Sequence, residues 1–483
     1  MEQLTGIDAG MLYMETPALH MHTLKVGVLD TSGLEGGYSY ERMKDVINER
    51  IHLLPVFRRR LVEIPYGVSH PVWIEDSDFD IDHHLRIQTA AAPGGDRELG
   101  AIVSQVASRP LVRTRPLWEV TLVTGLAGDR LGFVAKIHHA IADGATAVAQ
   151  LINVMDSALS PTETEQAPSE PWRPEPIPAD MQLLKAAMRA LARNLKMLPL
   201  LIWRTIVGYI ELKKRRREGL EPATRPFSTN RFAFNASLTP RRDFAMTTLP
   251  LTEMRNIKRA TNTTLNDVVL GVCGGAMRRY LAEQDAPLER SLTASVPVST
   301  GDQARRRLQG NDVSSIFAPI GTDVEDPLER LRGIHTGMSN AKEALKTRGA
   351  EMHDWSEIYP PRPYAWVVRA YSKFHLADYH NPPINMVVSN VPGPRDPLYV
   401  DGARLDDIYS VGPILEGIGL NITVWSYLDH MNFSALACPD HGTDVWRICD
   451  FLHTAFEALH DAVESEHEAR NTSTPDRGEP TVA

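Results

Sequence analysis

The stretch LGFVAKIHHAIADGATAVAQLINVMDSAL, residues 131–159, decides how this chain is read. Its first eight residues, LGFVAKIH, form an apolar strand-like run, and ATAVAQLINVMDSAL spaces its apolar residues as a helix does. Two adjacent histidines, His138 and His139, stand at the junction, with Asp143 and Gly144 just beyond them. On an extended strand successive side chains face opposite ways, so Phe133, Ala135, Ile137 and His139 share one face while Val134, Lys136 and His138 share the other. One histidine at most can therefore face a given reaction centre.

The same alternation of strand and helix extends outward in both directions. Before the junction lie strand-like HTLKVGVLD and PLWEVTLVTGL and helical YERMKDVINERIHLL and ELGAIVSQVASR, which makes residues 1–160 an α/β half. PTETEQAPSEPWRPEPIPAD then reads as a solvated linker, dense in Pro and Glu and without periodicity, opening a 161–230 connecting region. A second α/β half spans 231–465, with helices at LTEMRNIKRA, NDVVLGVCGGAMRRYLAEQ, PLERLRGIHTGMSNAKEALK and VWRICDFLHTAFEALHDAV. Its strands are LTASVPVS, INMVVSNV, GIGLNITVWSYL and MNFSALAC, the last two forming an expected hairpin that turns at Asp429-His430. Residues 466–483 carry almost no apolar content and are expected to be a disordered tail.

Composition narrows the function. The chain has 483 residues, 43% hydrophobic and 23% charged, which suits two large globular domains. A net charge of −10 argues against binding nucleic acid, because neutralising many phosphates needs a visible basic excess. The three cysteines, Cys273, Cys438 and Cys449, lack CxxC spacing and are odd in number, so neither a zinc knuckle nor a disulfide framework is expected and a reducing cytoplasm fits. The N-terminus has no signal-peptide pattern, and no stretch reaches the roughly 18 apolar residues of a membrane span.

The histidine pair carries the chemistry. A neutral imidazole with a pKa of about 6.5 can take a hydroxyl proton at neutral pH and pass it on. Asp143 has two compatible duties, capping the following helix through its first-turn amides and holding the histidine loop in shape, and neither makes it the base. Gly144 permits a tight turn or a close backbone approach. The competing reading is a satisfied core pair with a capping Asp. His83-His84, in FDIDHHLRIQT, is an internal control: no Asp-Gly follows it at that spacing, and it reads as structural. Asn266-Asp267 begins a helix, so its plain reading is an N-cap. Trp118 of PLW reads as core, and SNVPGP as a rigid turn.

HHAIADG, preceded by PLWEVTLVTGLAGDRLGFVAKI, resembles the active-site region of the bacterial wax ester synthase/diacylglycerol acyltransferase family. The HHxxxDG pattern is shared with chloramphenicol acetyltransferase and condensation domains, so the rest of the chain narrows the match: LTGIDAGMLYMETPALHMH, PVWIEDSDFDIDHHL, TLNDVVL, SVPVS, GNDVSSIFAPI and SNVPGP fall in family order over nearly 460 residues. The resemblance implies two chloramphenicol-acetyltransferase-like α/β sandwich domains with the active site at their interface. It implies acyl-CoA as donor, a diacylglycerol or long-chain alcohol as acceptor, and neither metal nor prosthetic group. Carried onto this sequence, it makes His139 the general base, His138 structural, Asp143 an orienting residue and Asn266 the oxyanion donor. Gly144 and Asp267 become the matched positions near substrate, Asp267 reading as structural on its own residues.

Between the halves, MQLLKAAMRALARNLKMLPLLIWRTIVGYIELKKRRREGL holds ten Lys or Arg against Glu211 and Glu218. Leu183, Ala187, Leu191 and Leu195 form one stripe and Lys185, Arg189, Arg193 and Lys196 another, and Pro199 is expected to break or kink the helix. Such a basic amphipathic helix could lie on an anionic bilayer or lipid inclusion through residues 181–217, which would make the protein cytoplasmic and peripherally attached. It could equally pack its apolar stripe on the protein. Two other functions compete with acyl-CoA-dependent transfer: acyl transfer from a carrier protein, and non-catalytic lipid binding.

Overall fold

The computed structural model describes residues 1–34, 36–141, 146, 150, 154–156, 174, 176–217, 227, 229–299, 313–348 and 355–472. Asp143, Gly144, Gly310-Asn311, most of the Pro/Glu-rich linker and residues 473–483 lie outside these. In chain order, β1 (Glu2–Gln3) and helix α1 (Gly6–Met14) precede β2 (His22–Asp30), α2 (Tyr40–Arg50), β3 (Arg59–Val62), β4 (Val72–Glu75), β5 (Leu85–Thr89), α3 (Asp96–Ala107), β6 (Trp118–Thr124) and β7 (Arg130–His138). After α4 (Asp180–Arg217) come β8 (Asp243–Pro250), α5 (Leu251–Thr261), α6 (Leu265–Glu283), β9 (Thr293–Ser299), β10 (Val313–Pro319), α7 (Pro327–Arg348) and α8 (Pro361–Lys373). The chain then forms β11 (Met386–Pro392), β12 (Tyr399–Val400), β13 (Ala403–Val411), β14 (Leu420–Tyr427), β15 (His430–Ala437) and α9 (Val445–Thr472).

These strands build two six-stranded sheets, ordered β12-β13-β2-β7-β6-β5 and β10-β9-β11-β14-β15-β8, with β1, β4 and β3 in a small third. The first sheet is thus completed by residues 399–411, which sequence order places in the second half: Leu405 pairs with Leu29 and Val411 with Leu24. Polar side chains tie β13 back to the other sheet as well. Asn432 Nδ2 donates to the Ile408 carbonyl (3.0 Å), His430 Nδ1 lies 2.6 Å from Asp407 Oδ1, and the Tyr409 and Thr248 hydroxyls are 2.9 Å apart.

The period-2 pattern of β2 and β7 sorts two cores. Leu24, Val26 and Val134 pack with α3 and with Phe244 and Met246 of the second sheet, while Leu29, Phe133 and Ile137 pack with Trp118, Trp425 and Tyr427. A third core, around α6 and α9, belongs to the second half alone. The SNVPGP turn follows β11 closely against β14. A Cβ on Gly393 would stand 2.2 Å from the Ser426 carbonyl oxygen, so only glycine lets the two strands approach this far.

Four expectations change on contact with the structure. The β14–β15 hairpin turns one residue earlier, at Leu428-Asp429, because Leu428 takes the left-handed backbone (φ 50) and Asp429 is drawn away to cap α5, accepting from the Thr252 amide (3.0 Å). Residues 466–472 are helical rather than disordered; Glu, Ala and Arg favour helix, and Glu466 accepts both bonds of Arg332. Helix α4 continues through Pro199, so of the break or kink expected there the break does not occur. Its expected apolar stripe is split: Leu183 and Ala187 are buried against Ile64, Val72 and Ile74, whereas Leu191 and Leu195 are exposed.

Candidate active site

β7 delivers the histidines and ends on the first of them. The His138 amide donates to the Leu117 carbonyl (3.0 Å), the His139 amide to the Met21 carbonyl (2.7 Å), and the Ile141 amide to the His138 carbonyl (2.9 Å). The chain therefore leaves the sheet in a tight turn whose backbone groups are satisfied, as a buried turn requires. The two neighbouring side chains differ in exposure. His138 is 0% exposed, and His139 is half-buried.

On the Phe133–Ile137 face lies a cavity of about 140 Å³, walled by Met43 and Ile47 of α2, Trp118 and Leu122 of β6, and Phe133 and Ile137 of β7. Its lining is almost wholly apolar; Lys25, Arg50 and Gln150 are its polar edge. Arg50 clamps the segment beyond the histidine motif, donating to both carboxylate oxygens of Asp156 (2.8 and 2.9 Å) and to the Val154 carbonyl (2.8 Å). Asp156 in turn exchanges backbone bonds with Tyr399 at the sheet edge. Trp118 is core, as its size suggests: its indole N–H donates to the Phe57 carbonyl (2.7 Å), and it stacks on Phe57 and His84. His84 holds the Trp118 carbonyl through Nδ1 (2.8 Å), so the control pair is structural at that residue.

On the opposite face, sequence reading missed a cluster. His22 stands directly across from His138 in the β2–β7 register, His20 stacks on His22 (centroids 5.6 Å, 11°), and His22 meets His138 edge-on at 6.0 Å. Glu15, at the C-terminus of α1, reaches over them, with Oε1 3.5 Å from His22 Nε2 and 3.7 Å from His138 Nε2. Its Oε2 accepts from Arg113 Nε (2.9 Å). Below the rings Lys136 is fully buried, bonding the Val106 and Arg109 carbonyls and Glu119. Burial keeps all three imidazoles neutral. It pushes His138 down to about 3 against the opposing pull of Glu15, and His20 down to about 4 with help from Arg242. His22 is lowered well below its ordinary value by burial first and by Lys136 next. The signal available in the sequence was the i, i+2 spacing of His20 and His22 where β2 begins.

Asn266 occupies the second residue of α6, half-buried, and among the described residues no hydrogen bond joins it to the histidine pair. Asp267 is not open to a substrate. It is 1% exposed, its Oδ2 accepts from the Thr264 amide (2.9 Å) and lies 2.7 Å from His335 Nδ1, and Thr264 Oγ1 accepts from the Asp267 amide (3.2 Å). That is a capping box with Thr264 as the cap, closed from the other side by the His335 ring, and it makes Asp267 structural. Asp143 and Gly144 fall outside the described residues. Among those described, His460, Asp461 and Glu464 bring three ligand-type atoms within 4.8 Å of one another, on the surface of α9. The three cysteines are free and buried.

Residues 4–269 match the model of the wax ester synthase/diacylglycerol acyltransferase catalytic domain, and residues 309–460 that of the WS/DGAT C-terminal domain. A provisionally named diacylglycerol O-acyltransferase of Mycobacterium tuberculosis is 39% identical over 94% of this chain and 95% of its own length, and a second from the same species is 34% identical over 98% and 100%. Among solved structures, the wax ester synthase/diacylglycerol acyltransferase of Marinobacter aquaeolei VT8 superposes with a TM-score of 0.65 at 27% identity, covering 96% of this chain and 100% of that one. The first condensation domain of the CDA synthetase follows at 0.57 and 15% identity, over 96% and 97%, a likeness of fold alone.

Proposed function

This chain belongs to the wax ester synthase/diacylglycerol acyltransferase family, and from that premise we propose that it transfers an acyl group from acyl-CoA to the hydroxyl of a diacylglycerol, and of long-chain alcohols as a second acceptor, with His139 as general base. The observation that carries the reading is the unequal environment of two neighbouring side chains, His138 sealed and held neutral and His139 half-open, just past Ile137, which lines an apolar cavity. His139 removes the acceptor's proton as the oxygen attacks the thioester carbonyl. The tetrahedral intermediate collapses with loss of CoA thiolate, which takes the proton back from His139, so one ester and one free thiol form together. The apolar cavity suits a fatty chain, since burying each methylene is worth about 0.8 kcal/mol. Asp143 orients the loop with Gly144 at its turn, and Asn266 is the donor proposed for the developing oxyanion.

The test combines the protein with palmitoyl-CoA and either dioleoylglycerol or hexadecanol, following free thiol and lipid ester in parallel. Thiol release that depends on acceptor and matches ester formation is expected. Turnover only with an acyl-loaded carrier protein would overturn the donor, and no ester with any acyl donor would leave a lipid-binding role.

We also propose that α4 carries the protein to an anionic lipid surface on the cytoplasmic side, a bilayer or a lipid inclusion. Trp203 (64% exposed), Tyr209 (65%), Ile206 and Ile210 stand out from α4, a helix that also carries exposed Lys185, Arg189, Arg193, Lys196 and Arg204, in a chain of net charge −10. No helix among the described residues is long and apolar enough to cross a membrane, so the contact would be peripheral. Flotation with phosphatidylglycerol vesicles should occur at low salt and weaken as salt rises. Failure to float at every salt concentration would leave α4 as a packing element.

A further inference from the structure

His138 Nδ1 accepts a hydrogen bond from the Ala140 amide (3.0 Å), a contact that spans His139. A ring nitrogen that accepts carries no proton, so neutral His138 must hold its hydrogen on Nε2, the atom facing Glu15 Oε1 at 3.7 Å. The distance makes this an electrostatic contact rather than a full hydrogen bond, yet a carboxylate there favours the tautomer that aims N–H at it. The opposite tautomer would put a proton between Nδ1 and the Ala140 amide and break that bond. Glu15 is itself fixed. Arg113 holds its second oxygen and donates to the Leu12 carbonyl (2.6 Å), which ties the pair to α1.

We infer that Glu15 is a positioning residue for His139: its carboxylate keeps the proton of His138 on Nε2, and the free Nδ1 pins the Ala140 amide, closing the turn that carries the base. His22 shares the carboxylate from β2, with Nε2 at 3.5 Å, so both strands at the mouth of the sheet lean on one side chain. The arrangement works like a metal-bound histidine whose far nitrogen is fixed by a carboxylate, where loss of the outer partner typically costs about 10-fold to 100-fold. The inference rests on His139 as base, and its test has an arm independent of activity.

Glu15→Ala is expected to lower kcat about 10-fold to 100-fold with KM unchanged. Glu15→Gln, whose amide oxygen still accepts from Nε2–H, recovers most of that loss. Nitrogen NMR of histidine-labelled protein, with the His138 signals assigned through His138→Gln, should show the wild-type proton on Nε2 and a shift toward Nδ1–H in Glu15→Ala. Full activity in Glu15→Ala, equal impairment of the Ala and Gln variants, or an unchanged His138 tautomer in Glu15→Ala would each overturn the proposal. If instead His139→Ala proves fully active while the tautomer shifts as described, the assignment of the base fails and the link from Glu15 to His138 stands.

Discussion

Replacing His139 by alanine lowers acyl transfer by ~10² to 10⁴, with thiol release and ester formation falling together. The range is that of a general base removed from a site that keeps its binding surfaces. The fold should survive, because the His139 side chain is half-buried and its backbone bond to Met21 is unaffected by the substitution. Urea midpoints of the variant and the parent should therefore agree closely. His138→Ala is expected to behave differently, losing stability as well as rate, since it empties a fully buried position and frees the Ala140 amide. Turnover by His139→Ala equal to that of the parent would sink the assignment.

Stability itself should fall as the solution is acidified from neutrality. His138 and His20 titrate near 3 and 4 in the folded protein, and His22 well below its ordinary value, because burial disfavours the imidazolium. In the unfolded chain all three take a proton near pH 6.5. Above that pH both states are neutral and these residues contribute no pH dependence. Below it the unfolded state binds more protons than the folded one, and each ring costs on the order of 1 kcal/mol per pH unit until the folded form titrates in turn. Three such rings make a loss of several kcal/mol between about pH 6.5 and pH 4. Urea midpoints across that window measure it, and a midpoint constant from about pH 7 to pH 5 would show that the cluster is hydrated or paired. Because burial holds His138, His20 and His22 neutral across this range, an ionisation near neutrality in the rate profile reports on a group outside this cluster.

The strand–turn–helix grammar was legible where one residue pattern has one solution. Alternation along LGFVAKIH puts Val134, Lys136 and His138 on one face, and all three are fully buried. Asn266-Asp267 read as an N-cap because a helix begins there; the cap itself is Thr264, two residues earlier, and Asp267 closes its capping box. Partnership over long sequence distance was illegible. Nothing in ARLDDIYSV says that it pairs with HTLKVGVLD, because alternation reports burial and not the neighbour. Nothing in the sequence singles out Glu15, and only the fold brings it from the end of α1 over two imidazoles. Composition misled at the C-terminus, where charge suggested disorder but Glu, Ala and Arg extend α9 to Thr472.

The pairing of β13 with β2 has a consequence for anyone who divides this gene. A fragment ending near residue 230 would present β2 as a bare edge, its amides and carbonyls open to other chains, and should aggregate unless the missing segment is supplied in trans. The remaining fragment would carry 399–411 without a host. Chimeras between relatives should therefore exchange 399–411 together with the N-terminal portion, and an intact polypeptide should melt as one cooperative unit rather than as two modules.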